Sequence, residues 1–99
     1  MKENNVLNWN EFINSGFDAE PYEFIDEEGT FNAVVDMKRW GKKADSMMAY
    51  FTLEDGRKII SFSWKNSNYL GLGEISIGAA VTLTFSKNSK GYIGLKSVE

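Results

Sequence analysis

MMAYFTLEDGRKIISFSWK, residues 47–65, is two alternating runs joined by an Asp-Gly step. Asp and Gly tolerate the positive φ of a two-residue type I′ turn, so Asp55-Gly56 predicts a β-hairpin. That turn sets a register. On one face it places Glu54 opposite Arg57, Thr52 opposite Ile59, Tyr50 opposite Ser61 and Met48 opposite Ser63. On the other it places Leu53 opposite Lys58, Phe51 opposite Ile60, Ala49 opposite Phe62 and Met47 opposite Trp64. The second set is apolar except at its turn end, so it is expected to face a core, with Trp64 inside and Tyr50 outside. A slip of one residue would turn a whole strand face to the other side.

Outward from the hairpin the same period of two recurs. A strand is predicted over Phe31–Trp40, with Phe31, Ala33, Val35 and Met37 on one face and Asn32, Val34, Asp36, Lys38 and Trp40 on the other. Gly41–Ser46 is a polar loop leading into a second strand over Met47–Glu54; the third runs over Arg57–Lys65. Asn66-Ser67-Asn68 then opens a short helical or irregular turn, Tyr69–Glu74, kept short by Gly71 and Gly73. A fourth strand over Ala79–Phe85 points Val81, Leu83 and Phe85 inward. After the turn Lys87–Gly91, a fifth over Tyr92–Val98 points Ile93 and Leu95 inward. Upstream, Asn8-Trp9-Asn10-Glu11 reads as a capping box. Trp9, Phe12 and Ile13 share a helical face, and Gly16 ends the helix, predicted over 9–15. Phe17–Gly29 mixes aromatics with acids and is either an extended strap or a loose arm.

The order strand, loop, strand, tight hairpin, strand, short helical connection, strand, hairpin, strand resembles the OB-fold, a five-stranded Greek-key barrel. Ile77-Gly78 ahead of Val81, Leu83 and Phe85 looks like the glycine-led fourth strand common in that fold. The resemblance covers residues 30–99 and is one of topology, with no diagnostic motif. It implies an all-β domain over 30–99 preceded by an acidic segment over 1–29, with an SH3-like small barrel as the structural rival. It also implies a ligand surface on the second and third strands and on the loops joining strands one to two and four to five.

Charge is unevenly placed. Residues 1–29 hold eight acids and one base, net -7, whereas residues 30–99 hold ten bases and six acids, net +4; the chain as a whole is -3. There is no cysteine and no histidine. That removes the thiolate nucleophile, the usual zinc ligands and the commonest general base near neutral pH. Gly71-Leu72-Gly73 lacks the third glycine and the Lys-Ser/Thr pair of a phosphate loop. Asp26-Glu27-Glu28 lacks the alternating ligands and glycine of a calcium loop. No enzyme, metal or cofactor is therefore expected. No apolar run approaches the ~20 residues that span a bilayer, and Met-Lys-Glu-Asn-Asn is not the start of a signal peptide. A cytoplasmic protein without a membrane partner is expected.

These readings converge on a non-catalytic module for single-stranded DNA or RNA, serving as an accessory factor in replication or recombination or of a mobile element. Lys42 and Lys43 in one loop and Lys87 and Lys90 in another would flank a groove and neutralise phosphates. Trp40 and Tyr50 on the outer phase would stack bases, beside Lys38, Met48, Ser61, Ser63 and Lys65. The alternative is a protein-interaction or assembly domain, including a homo-oligomer, using the acidic segment or an exposed strand edge.

Overall fold

A computed structural model describes residues 6–14, 16, 21–41 and 45–99. The elements are β1 (Val6–Leu7), α1 (Trp9–Asn14), β2 (Glu23–Phe24), β3 (Gly29–Trp40), β4 (Ser46–Leu53), β5 (Lys58–Trp64), a 3₁₀ connection (Lys65–Glu74), β6 (Ala80–Lys87) and β7 (Ile93–Val98). They form one mixed sheet in the order β2-β5-β4-β3-β6-β7, with β1 paired to β3. The sheet curls into a half-barrel around β3. The first half of that strand pairs with β6, from Gly29 opposite Phe85 to Val34 opposite Ala80. Its second half pairs with β4 and carries β1 alongside Lys38 and Arg39. β5 and β7 approach each other across the opening. Among the described residues no ladder joins them.

Val35, Met47, Ala49, Phe51, Leu72 and Leu83 fill the interior and are sealed from solvent. Each predicted strand is present within a residue or two, and two features change what the strands point at. The first is the hairpin. The N–H of Leu53 donates to the carbonyl of Arg57, and that of Gly56 to the carbonyl of Leu53. Gly56 has φ +96°, and Asp55 Oδ1 accepts from the N–H of Arg57 at 3.0 Å. This is a three-residue turn, Glu54-Asp55-Gly56, closing in a glycine bulge. It moves the register by one: Tyr50 lies opposite Ile60, Ala49 opposite Ser61, Met48 opposite Phe62 and Met47 opposite Ser63. The predicted pairing is therefore corrected. Ile59, Ser61 and Ser63 turn inward, while Phe62 and Trp64, expected inside, stand exposed on the outer face.

The second feature is a bulge at Asp36, between the Val35–Phe51 and Met37–Tyr50 pairs. Two consecutive residues share the outer face there, so the alternation reverses. Met37 goes out with Tyr50, and Lys38 and Trp40 go in with Ala49 and Met47.

The capping box forms as read: Glu11 N–H donates to Asn8 Oδ1 at 2.8 Å and Asn8 N–H to Glu11 Oε1 at 3.1 Å. α1 is one and a half turns long and is held by tertiary contact, since a helix this short has no stability of its own. The acidic stretch is a strap where it is described. β2 runs parallel to β5 at Ile59 and Ile60, and Ile25 packs against the core. In the connection after β5, Asn68, Tyr69 and Leu70 hold left-handed φ of 52–54° and Gly71 follows at 80°. Three consecutive side-chain-bearing residues there cost roughly 1–2 kcal/mol each. The turn is held by Tyr69, whose ring meets Trp40 edge-on at 5.2 Å, and by Leu72, which is fully buried.

Candidate nucleic-acid interface

The corrected register makes the outer face of β4 and β5 a single surface. Met48, Tyr50 and Thr52 lie beside Phe62, Ile60 and Lys58. Its two halves differ. Toward the Trp64 end the surface is open. The Phe62 ring is stacked on Trp64 with centroids 5.8 Å apart and planes 17° from parallel. On its other side Phe62 stacks with Phe24 of β2 at 5.7 Å and 17°. Trp64 is 53% exposed and Phe24 62% exposed. Water is a poor solvent for such rings, and a row of them left exposed on a small domain marks a binding surface more often than a single one does. A cleft of about 250 Å³ adjoins the row, between Phe62 and Trp64 on one side and Ile93–Leu95 on the other, with Leu70 of the strained turn in its wall.

Toward the hairpin the surface is covered. Phe12 of α1 stacks on Tyr50 at 5.8 Å with planes 13° apart, and Tyr22 meets the same ring edge-on at 5.3 Å. Arg39 lies over Phe12 at 4.8 Å, and its Nε donates to the Tyr50 hydroxyl at 3.2 Å. The Tyr22 hydroxyl donates to Asp36 Oδ2 at 2.6 Å, and Thr52 Oγ1 donates to the same oxygen at 2.5 Å. Burial, and then the hydrogen bond to an ionised neighbour, push the Tyr22 phenol up to about 12. Lys58 Nζ donates to Thr52 Oγ1 at 3.0 Å and sits 5.5 Å from the Tyr22 ring centre.

The predicted site residues fall in several places. Tyr50 was expected open to water; it is 1% exposed, because α1 and Tyr22 close over it. Lys38 was expected on the outer face. It is wholly buried on the inner one, with Nζ donating to the carbonyls of Leu72, at 2.8 Å, and Ile75. Desolvation pulls its ammonium down to about 8. Trp40 lies inside against Tyr69. Ser61 and Ser63 are buried, Ser63 Oγ donating to the carbonyl of Met47 at 3.4 Å. Met48 is on the outer face as expected, half-buried, with its Sδ taking contacts from Arg39 and Tyr50. Lys65 is exposed directly after Trp64.

Lys87 and Lys90 are exposed at the β6–β7 turn, which Asn88 Oδ1 shapes by accepting from the N–H groups of Lys90 and Tyr92. Lys42 and Lys43 lie outside the described residues. The chain flanking them, Gly41 and Asp45, is at the end of β3, whereas Lys87 stands by its start, beyond the Gly29–Phe85 pair. The two basic turns were expected to flank one groove; the ends from which they spring are opposite ends of β3.

Phe62 and Trp64 are not among the ligand-facing residues that the sequence suggests. The signal was present in Glu54-Asp55-Gly56, which fits a three-residue turn as well as Asp-Gly fits a two-residue one.

Compared with models of known protein families, with curated proteins and with solved structures, the chain matches none. Among the described residues no helix is long and apolar enough to cross a membrane.

Proposed function

We propose that the chain is a non-catalytic OB-type module for single-stranded nucleic acid, in which Phe62 and Trp64 of β5 are the base-stacking platform. The observation that carries this is the near-parallel pair of rings on the outer face of β5, Trp64 open to solvent and Phe62 between it and Phe24, with Lys65 at the end. Every base has a flat π-face, so such a platform takes successive bases without sequence readout. Each stack contributes ~1–3 kcal/mol. Residues 30–99, net +4, supply the attraction for phosphate. The consecutive strands β3 to β7, joined in turn by the segment between Trp40 and Ser46, a hairpin, a compact connection and a second hairpin, support the five-strand OB reading; β1 and β2 then belong to the leader. An accessory role in replication or recombination, or in the service of a mobile element, is part of the same proposal.

The test is fluorescence anisotropy of full-length protein with labelled oligo-dT and oligo-U at rising salt. Binding at low salt that weakens with salt is expected. Phe62→Ala and Trp64→Ala should each weaken it by roughly 5- to 150-fold, the equivalent of one lost stack. Full affinity in both variants, or indifference to oligonucleotide at low salt by the wild type and by a chain carrying Glu27→Gln with Glu28→Gln alike, overturns the proposal. A second reading has its own observation. The outer edge of β5 at Ser61–Trp64 carries no partner strand among the described residues, so strand addition by a protein is the competing use of this face.

A further inference from the structure

The covered half of the outer face is closed by groups that resemble what a nucleic-acid strand would bring. Flat rings lie on Tyr50: Phe12 stacked and Tyr22 edge-on. The same segment brings carboxylates to donors of the kind a phosphate uses. Glu27 Oε1 is 3.1 Å from Arg57 Nη1, and Glu28 Oε2 accepts from the Lys87 N–H at 2.7 Å. Phe24 occupies the face of Phe62 on which a base would stack. The segment that brings these groups belongs to the part of the chain with net -7, and the surface beneath belongs to the part with net +4.

The attachments are of the kind that open. β2 is a two-residue ladder and α1 a six-residue helix. The Glu27–Arg57 pair joins side chains that are about half exposed, at 52% and 45%. Such pairs hold weakly and are screened by salt. The firmest ties are Tyr22 on Asp36 and the burial of Val6, so the Glu27–Glu28 end is where release begins.

Resting on the nucleic-acid reading above, we propose that residues 23–28 are a displaceable cover, and that a single strand lengthens its footprint by replacing them. Phosphates take over Arg57 and the Lys87 amide from Glu27 and Glu28, and a base takes the place of Phe24 on Phe62. The free protein is then a partly closed binder, whose apparent affinity is reduced by the fraction of molecules with the cover in place.

The experiment pairs affinity with amide exchange in the full chain. Glu27→Gln with Glu28→Gln removes two competing charges without changing size, and Phe24→Ala removes the ring on Phe62. Each should tighten oligo-dT roughly two- to tenfold. The sign separates Phe24 from Trp64, whose loss weakens binding. Saturating oligo-dT should speed hydrogen exchange at Glu23 and Phe24 while leaving β3 and β4 protected. If the wild type binds, yet the Gln variant is no tighter and exchange in β2 is unchanged or slowed, the cover is overturned and the platform stands. If the wild type fails to bind and the Gln variant binds, closure by the segment is supported. If neither binds, both proposals fall.

Discussion

Raising the pH from 7 to 10 should stabilise the fold, through one buried lysine. Lys38 is fully enclosed, and its ammonium rests on two backbone carbonyls, with no carboxylate among its partners in the described residues. Carbonyl dipoles compensate part of the lost hydration, and the remaining desolvation pulls the group from 10.5 down to about 8. The folded protein therefore releases this proton earlier than the unfolded chain does. Between about pH 8 and 10.5 the unfolded state binds more protons, so stability rises with pH. One group with this separation adds roughly 2–3 kcal/mol between pH 7 and pH 10, from 1.36 kcal/mol per unit. The assay is urea denaturation at half-unit steps of pH, comparing wild type with Lys38→Met. Methionine retains most of the stem and abolishes the titration. It leaves Ile75 O without its donor, while Leu72 O keeps the Ile75 N–H at 3.2 Å. At pH 7 the variant should lose no more than about 3 kcal/mol, because relief of the buried charge offsets part of the cost of the unpaired Ile75 carbonyl. The difference between the two proteins should move steadily in favour of wild type from pH 8 to 10. Parallel pH profiles would refute the reasoning, because they would show that the buried ammonium is not desolvated.

Above pH 10 a different group takes over. Tyr22 is held neutral up to about 12, against about 10 in the unfolded chain, so its contribution is complete below pH 10 and is lost as pH rises from 10 to 12. Tyr22→Phe should remove that alkaline fall and cost about 1–3 kcal/mol at pH 7, the range for a hydrogen bond to a charged acceptor; circular-dichroism melts at pH 7 and 11 read both effects. Gly56→Ala should destabilise by about 1 kcal/mol in chemical denaturation. A Cβ there would meet nothing within 4 Å, so the loss comes from φ +96° alone. Gly56→Asn, which tolerates positive φ better, should lose less.

How much could be read beforehand depended on whether the information was local. The capping box was legible because Asn8 and Glu11 satisfy each other's amides within one turn. Alternation marked the strands, and the asymmetry of charge marked the leader. The face that each residue takes was less legible, because it depends on counting across a turn and along a bulge. Glu54-Asp55-Gly56 supports two turn lengths of similar energy, and the choice reverses the fate of Phe62 and Trp64 against Ser61 and Ser63. Apolarity favoured the wrong choice. Nothing local announces that the inner space at that end is filled by Met47 and by Leu72 from the connection. Lys38 went inward for a similar reason: the Asp36 bulge shifts the phase by one, and the carbonyls that receive the ammonium come from 34 and 37 residues away.

Sequence by itself determined that this chain is mostly β, with an acidic N-terminal stretch and no histidine or cysteine, since composition, period and charge are properties of the residues themselves. Tertiary structure alone decided that Tyr50 is closed, that Phe62 and Trp64 are open, and that the leader lies over part of the face expected to bind. Those outcomes rest on contacts between distant segments. The order of residues constrains such contacts only through the shape into which the whole sheet curls.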